Sequence, residues 1–268
     1  MDIGYTIPVL DHGYVKLIGS MGTDETIIEA ARMSTNKGFE GWEKDAKLLE
    51  FLYRNGHMTP FEMCEIAIEV QLPIFVVREW HRHRTQSYNE MSARYTQMPD
   101  LHYLPDPKRI QKQSKTNKQG SAESVDELRA KEILETLAFE QKTVYSTYDD
   151  LVEEGIAKEV ARINTPVSRY TKMRAKMNLR NAFGFLNLRK PSSAQWEIRQ
   201  YADAFGTIVE AIWPRSYALF EEHTLGGLKL SATELKLVQT HFSMSQGGKK
   251  SDTVDHEATK LALRKLGI

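Results

Sequence analysis

Chemistry concentrates between Arg78 and Tyr95, in the run Arg-Glu-Trp-His-Arg-His-Arg-Thr-Gln-Ser-Tyr-Asn-Glu-Met-Ser-Ala-Arg-Tyr. Four arginines, two histidines, two serines, two glutamates and an asparagine fall within it. Forked guanidinium donors suit phosphate, which they bind bidentately. Arg78 and Arg82 stand four apart; on one helix face such like charges repel by a few tenths of a kcal/mol, roughly, and an anion between them offsets that. Ser92, Ala93 and Arg94 offer a hydroxyl, backbone N–H groups and another fork, a second set fit for phosphate. Glu90 and Asn89 can accept from and donate to a ribose or a base edge. Arg82-His83-Arg84 alone also reads as a solvated basic face; the density of the whole stretch points to a nucleotide site.

Arg-His-Arg, seven residues, Ser, one residue, Arg is the signature of the flavin-dependent thymidylate synthases, and Arg82 to Arg94 fits every fixed position. His57-Met58-Thr59-Pro60-Phe61-Glu62 resembles the family's H-x-T-P-F-E segment, and Glu159-Val160-Ala161-Arg162 its short x-x-A-R helix. Asn178-Leu179-Arg180, Phe185 to Arg189 and Ala194-Gln195-Trp196-Glu197-Ile198 follow in the family's order. The resemblance spans about residues 10–222; the 108–122 loop and the tail lie outside it.

The resemblance implies methylation of dUMP at uracil C5 to give dTMP. The carbon comes from 5,10-methylenetetrahydrofolate and the hydride from FAD reduced by NADPH, in a homotetramer whose active sites are shared between subunits. By family position, Thr59, Arg82, His83, Arg84, Glu90, Asn178 and Arg180 are the expected FAD contacts. Gly184 lies at the expected flavin edge, as does Ser193; relatives often carry an amide or imidazole at the first position and a histidine at the second. Arg78, Glu79, Arg82, Glu90, Ser92, Ala93, Arg94, Arg162 and Arg189 are the expected nucleotide contacts. Glu79, a glutamine in some relatives, is expected to face the sugar or an arginine. Arg189 is the expected catalytic residue: a guanidinium against the pyrimidine edge stabilises negative charge developing at N3 and O2. Two bound anions, a monophosphate and a pyrophosphate, account for so many arginines in a neutral chain.

Cys64 is the lone cysteine. Flanking acids and a strand edge mark it as a packing residue rather than a nucleophile. Ser92 has no histidine base beside it in sequence and reads as a ligand. His57 reads either as a flavin neighbour or as a helix-end residue, and His81 as facing solvent. His12, His102, His223, His241 and His256 lack metal-ligand spacing, so no metal site is expected. Trp80 and Trp196 read as core.

The elements that must position these groups are mostly helical. Helices are expected at 24–34 with Asp24 as N-cap, at 42–55 with Gly56 at C′, at 73–86 opened by Pro73, at 125–154 ended by Gly155, at 157–163, at 178–188 and at 193–222 with a kink or restart at Pro214. Strands are expected at 65–70 and, with Lys172, Arg174 and Lys176 on one face, at 168–177. Residues 105–124 read as a surface loop whose basic run is either solvated or steers an anion. The class is α+β, with an antiparallel or mixed sheet packed by helices. Residues 1–225 form the expected catalytic domain. Residues 226–268 form a helical extension, with a Ser231–Glu234 capping box, a Gln246–Lys250 linker and a helix at 252–266.

Net charge is zero over 268 residues, so no overall field argues for nucleic acid or an anionic membrane. No apolar run is long enough to span a bilayer, and one cysteine excludes an internal disulfide. A cytoplasmic enzyme acting on dUMP and folate, without membrane or obligatory nucleic acid, fits best. Two alternatives stay open: a methylase of UMP or a cytosine nucleotide, and a non-catalytic nucleotide- or RNA-binding relative.

Overall fold

A hairpin opens the chain in the computed structural model, which describes residues 1–115 and 120–245. Thr6–Val9 (β1) pairs antiparallel with Gly13–Met21 (β2), two strands not among those expected from the sequence. Asp24–Arg32 (α1) follows, capped by Thr23 through a reciprocal box with Thr26. Asp24 is therefore not the N-cap. It is the first helical residue, and its buried carboxylate accepts from the backbone N–H groups of Arg215 and Ser216 and from the Ser216 hydroxyl.

Trp42–Arg54 (α2) buries Leu49 and Leu52 and stops at Gly56, whose φ of +70° supplies the left-handed turn. Glu65–Pro73 (β3) alternates half-buried and buried positions, with Ile66, Ile68 and Val70 inward. Ile74–Trp80 (α3) takes Pro73 as its N-cap and ends six residues before the expected position. Trp80 is fully buried, and its indole donates to Gln86 while the Tyr88 hydroxyl donates to the His83 carbonyl. These bonds fold residues 81–86 back so that Ser87–Glu90 (β4) reaches the sheet. Arg78 and Arg82 consequently do not share a helix face.

Residues 105–124 are not a plain loop. Gln111–Gln113 (β5) and Ser121–Ser124 (β6) pair, anchored by Arg109, which bonds Glu197 at 2.9 Å and the Ser121 hydroxyl at 2.8 Å. Glu127–Glu153 (α4) is capped by Asp126 and ends before Gly155, at φ +81°. Lys158–Ala161 (α5) leads through a 3₁₀ turn, Arg162–Asn164, towards Tyr170–Asn178 (β7). Leu179–Arg189 (α6), Trp196–Ile212 (α7) and Pro214–Phe220 (α8) complete this part, Pro214 restarting the helix rather than bending it. Trp196 is half-buried rather than core; it lines a cavity of about 500 Å³ with Lys108, Arg109 and Arg199.

Among the described residues, the main sheet has the order β1-β2-β3-β7-β4, antiparallel throughout. One face is sealed by α6 and α7, whose Phe185, Ile198, Phe205, Ile208 and Val209 are buried. The other is polar: Arg174 pairs with Glu69 at 3.2 Å and Lys176 with Glu65 at 2.7 Å, so the expected basic face of β7 is largely matched by acids on β3.

The chain forms two compact units, Met1–Ala218 and Leu219–Ile268. In the second, Ala232–Ser245 (α9) carries the capping box, with Glu234 accepting from Ser231 N–H at 2.7 Å and the Ser231 hydroxyl accepting from Glu234 N–H at 3.2 Å. The linker at 246–250 and the helix at 252–266 lie outside the described residues.

Candidate active site

Helix α6 positions most of the site. Asn178 caps it, its side-chain oxygen accepting from Asn181 N–H at 2.9 Å. Asn181, Phe185 and Arg189 recur every four residues and so share the face turned to the 83–85 segment. There the Asn181 amide donates to the Thr85 carbonyl at 3.1 Å, and Phe185 packs edge-on against the His83 ring. Arg180 and Gly184 form the adjoining stripe. Arg180 pairs with Glu62 at 2.6 Å, tying α6 to the 3₁₀ turn Thr59–Met63, where Thr59 is exposed. A methyl group added at Gly184 would meet nothing within 4 Å, so this stripe faces open space.

Arg189 is the most constrained arginine of the expected set, with a side chain 15% exposed. Its Nε donates to His83 Nε2 at 2.9 Å, Nη1 to Glu79 Oε2 at 2.5 Å and Nη2 to the Glu79 carbonyl at 2.8 Å. Three of five donors are thus used, and the remaining two have no hydrogen bond to the described residues. Glu79 therefore faces an arginine, the second of its two expected roles.

His83 accepts from Arg189 only when Nε2 is unprotonated, so the neutral ring carries its proton on Nδ1. Burial, reinforced by the Arg189 charge, lowers its pKa to about 4. The unfolded chain, near the ordinary histidine value of about 6.5, binds this proton first as pH falls. Stability from neutral His83 is complete above about pH 6.5 and is lost on acidification towards pH 4. Melting temperature is expected to drop between pH 7 and pH 5, and His83→Gln, a neutral acceptor, should flatten that slope; an unchanged slope would contradict the assignment.

A second group forms around Ser92–Arg94. Ala93 is buried with Met98, Tyr148 and Ala161. The Ser92 hydroxyl accepts from Arg94 N–H at 3.2 Å, and Arg94 pairs with Glu159 at 3.2 Å, one turn before Arg162. Glu90 sits at the end of β4, one oxygen accepting from Thr171 at 2.9 Å. Thr171 was missed from sequence; a hydroxyl on the buried face of β7 was its signal. Arg78, Arg82 and Arg84 are exposed and have no ion pair among the described residues. No hydrogen bond or ion pair between described residues joins the Arg189 group to the Arg94 group.

His57 lies just past α2: its N–H donates to Leu52 O at 2.9 Å and its ring stacks on Phe51. Cys64 is fully buried, its thiol 3.5 Å from the Thr23 carbonyl. Burial, rather than the flanking acids, pushes its pKa up to about 12. A thiol so held is not a nucleophile at neutral pH. Cys64→Ala is expected to keep turnover within about twofold of the parent; a folded, flavin-loaded but inactive variant would reverse this view.

The donor set along α6 and the 82–84 turn fits a dinucleotide flavin. It offers unpaired guanidiniums for a pyrophosphate, a neutral imidazole, and an open stripe at Gly184 against which a flat ring can lie.

Residues 16–215 match the family model described as thymidylate synthase complementing protein. A flavin-dependent thymidylate synthase of Wolbachia pipientis wMel is 40% identical over 259 residues, covering 97% of this chain and 89% of that protein. Its counterpart in Thermus thermophilus is 44% identical over 234 residues, covering 87% and 85%. Among solved structures, a UMP/dUMP methylase, PolB from Streptomyces cacaoi bound with 5-Br dUMP, superposes with a TM-score of 0.73 at 30% identity, covering 81% of this chain and 98% of that one.

Proposed function

Because the chain belongs to the flavin-dependent thymidylate synthase family, we propose that it converts dUMP to dTMP with 5,10-methylenetetrahydrofolate as carbon donor and NADPH as reductant of its FAD. The observation that carries this reading is the fixation of Arg189 by His83 and Glu79, with two N–H groups left over. Bound against the uracil edge, those donors stabilise negative charge at N3 and O2 as C5 becomes nucleophilic. Their direction is set before substrate arrives, so no reorganisation is needed during the reaction.

Ser92, the Ala93 backbone, Arg94, Arg162 and Arg78 hold the phosphate, and Glu90 accepts from the sugar or base. Thr59, Arg82, His83, Arg84, Asn178 and Arg180 hold FAD, with Gly184 against its ring and Arg82 and Glu90 shared with the nucleotide. FAD supplies the hydride, and the protein orients and polarises.

We further propose a cytoplasmic homotetramer with shared active sites and no requirement for nucleic acid. Helix α4 supports the assembly: its only buried residues are Ala130 and Tyr148, while Leu128 is 69% and Phe139 72% exposed. Beside it lies an apolar cavity of about 650 Å³ lined by Phe75, Tyr103, Leu137, Phe139, Val144 and Val167. A helix face that leaves large apolar side chains exposed fits a subunit interface. No helix among the described residues is long and apolar enough to cross a membrane. The single cysteine and the zero net charge fit a reducing compartment and a small-molecule substrate.

A second reading, methylation of UMP, is favoured by the name of the Streptomyces neighbour. Product analysis with dUMP and UMP in parallel separates the two. dTMP formation that needs methylenetetrahydrofolate, NADPH and flavin together supports the proposal; a preference for UMP or absence of product overturns it.

A further inference from the structure

Arg169 precedes β7 and is only 7% exposed. Its Nε and Nη1 are buried without a hydrogen-bond partner. Buried arginines in folded proteins are normally paired, because an unpaired charge out of water is unfavourable. Nothing in the signature pattern draws attention to this residue.

Its surroundings identify the missing partner. Burial works against the Arg169 charge, with Tyr148 and Glu90 acting for it and Arg162 against it. Tyr148 packs beneath Ala93, so Arg169 borders the core that supports the Ser92–Arg94 segment. Glu90 is the nearby carboxylate on β4, and it takes its hydrogen bond from Thr171 rather than from Arg169. Glu159 is engaged by Arg94. Three cations, Arg94, Arg162 and Arg169, therefore gather from separate elements around two acids that do not hydrogen-bond Arg169. The corner carries a surplus of positive charge, which favours an anionic ligand.

We propose that Arg169 is a further ligand of the nucleotide's phosphate, acting beside Arg94 and Arg162. This rests on the reading of that corner as the dUMP site. Because its guanidinium is buried and lacks partners for two of its nitrogens, such a contact rewards a phosphorylated nucleotide over its nucleoside. An adjacent cation also keeps the phosphate fully ionised.

Steady-state kinetics of the flavin-loaded full chain, with inorganic phosphate as competing probe, test this. Arg169→Leu is expected to raise the KM for dUMP about ten- to hundredfold, to keep kcat at saturation within about threefold, and to weaken inhibition by phosphate. Its flavin content and its melting temperature without nucleotide should not fall, since the substitution removes a buried unpaired charge. A merely structural role would lower kcat, flavin content and melting temperature together, and that result overturns the proposal, as does an unchanged KM. Should the leucine variant not fold, Arg169→Lys keeps the charge at shorter reach. An intermediate rise in KM with kcat retained supports the proposal, and a parental KM with parental phosphate inhibition overturns it. If the parent itself neither binds nor turns over dUMP, the nucleotide reading fails and this inference fails with it; a parent that uses dUMP beside a variant that does so equally well refutes Arg169 alone.

Discussion

Arg189→Ala is expected to lower methyl transfer by about 10²- to 10³-fold, the usual loss when a preorganised donor to developing charge is removed. The side chain is held at three points, by His83 Nε2, Glu79 Oε2 and the Glu79 carbonyl. Only a planar fork reaches all three, so Arg189→Lys should recover little. The expected FAD contacts Arg82, Arg84, Asn178 and Arg180 do not depend on Arg189, and flavin should remain bound. Turnover measured beside the flavin-to-protein absorbance ratio checks both halves. Near-parental turnover would remove Arg189 from the chemistry, and loss of flavin would make it a cofactor ligand instead.

Asp24→Ala is expected to cost about 3 kcal/mol of stability, because it strands two backbone N–H groups and a hydroxyl in a buried position. One carboxylate serves the start of α8 through Arg215 and Ser216, although it belongs to α1. Burial raises its pKa, and those hydrogen bonds act in the opposite direction. A lowered urea midpoint with an unchanged slope, at equal protein concentration, would show the loss. A midpoint within error of the parent would mean that water replaces the carboxylate.

Asp24 also shows where sequence reading stops. A capping residue before an apolar run is a local signal, and Thr23 meets it as well as Asp24 does; the partners that claim Asp24 lie more than 190 residues away. Local patterns were sufficient for β3 and β7, whose two-residue alternation survives into burial, and for the glycine stops at Gly56 and Gly155. They failed at residues 81–90, where helical spacing of Arg78 and Arg82 suggested one face but Trp80 and Tyr88 fold the chain back into a strand. They failed again at 105–124, where polar composition hid a hairpin held by Glu197 from α7.

Within the site, the family signature led to the arginines, and the elements bring Arg189, Glu79 and His83 into contact from α6, α3 and the following turn. Thr171 and Arg169 escaped because neither belongs to the signature. Their part depends on the register of β7 against β4 and on what lies beneath Ala93, which are tertiary facts.

The most direct measurement is the visible spectrum of the purified protein without oxygen. Flavin absorbance near the ordinary oxidised bands should bleach on addition of NADPH and stay bleached with dUMP or methylenetetrahydrofolate alone. It should return only when both are present, with dTMP formed in step. A colourless protein, or a bleached flavin that never reoxidises with both substrates, would contradict a flavin-dependent dUMP methylase.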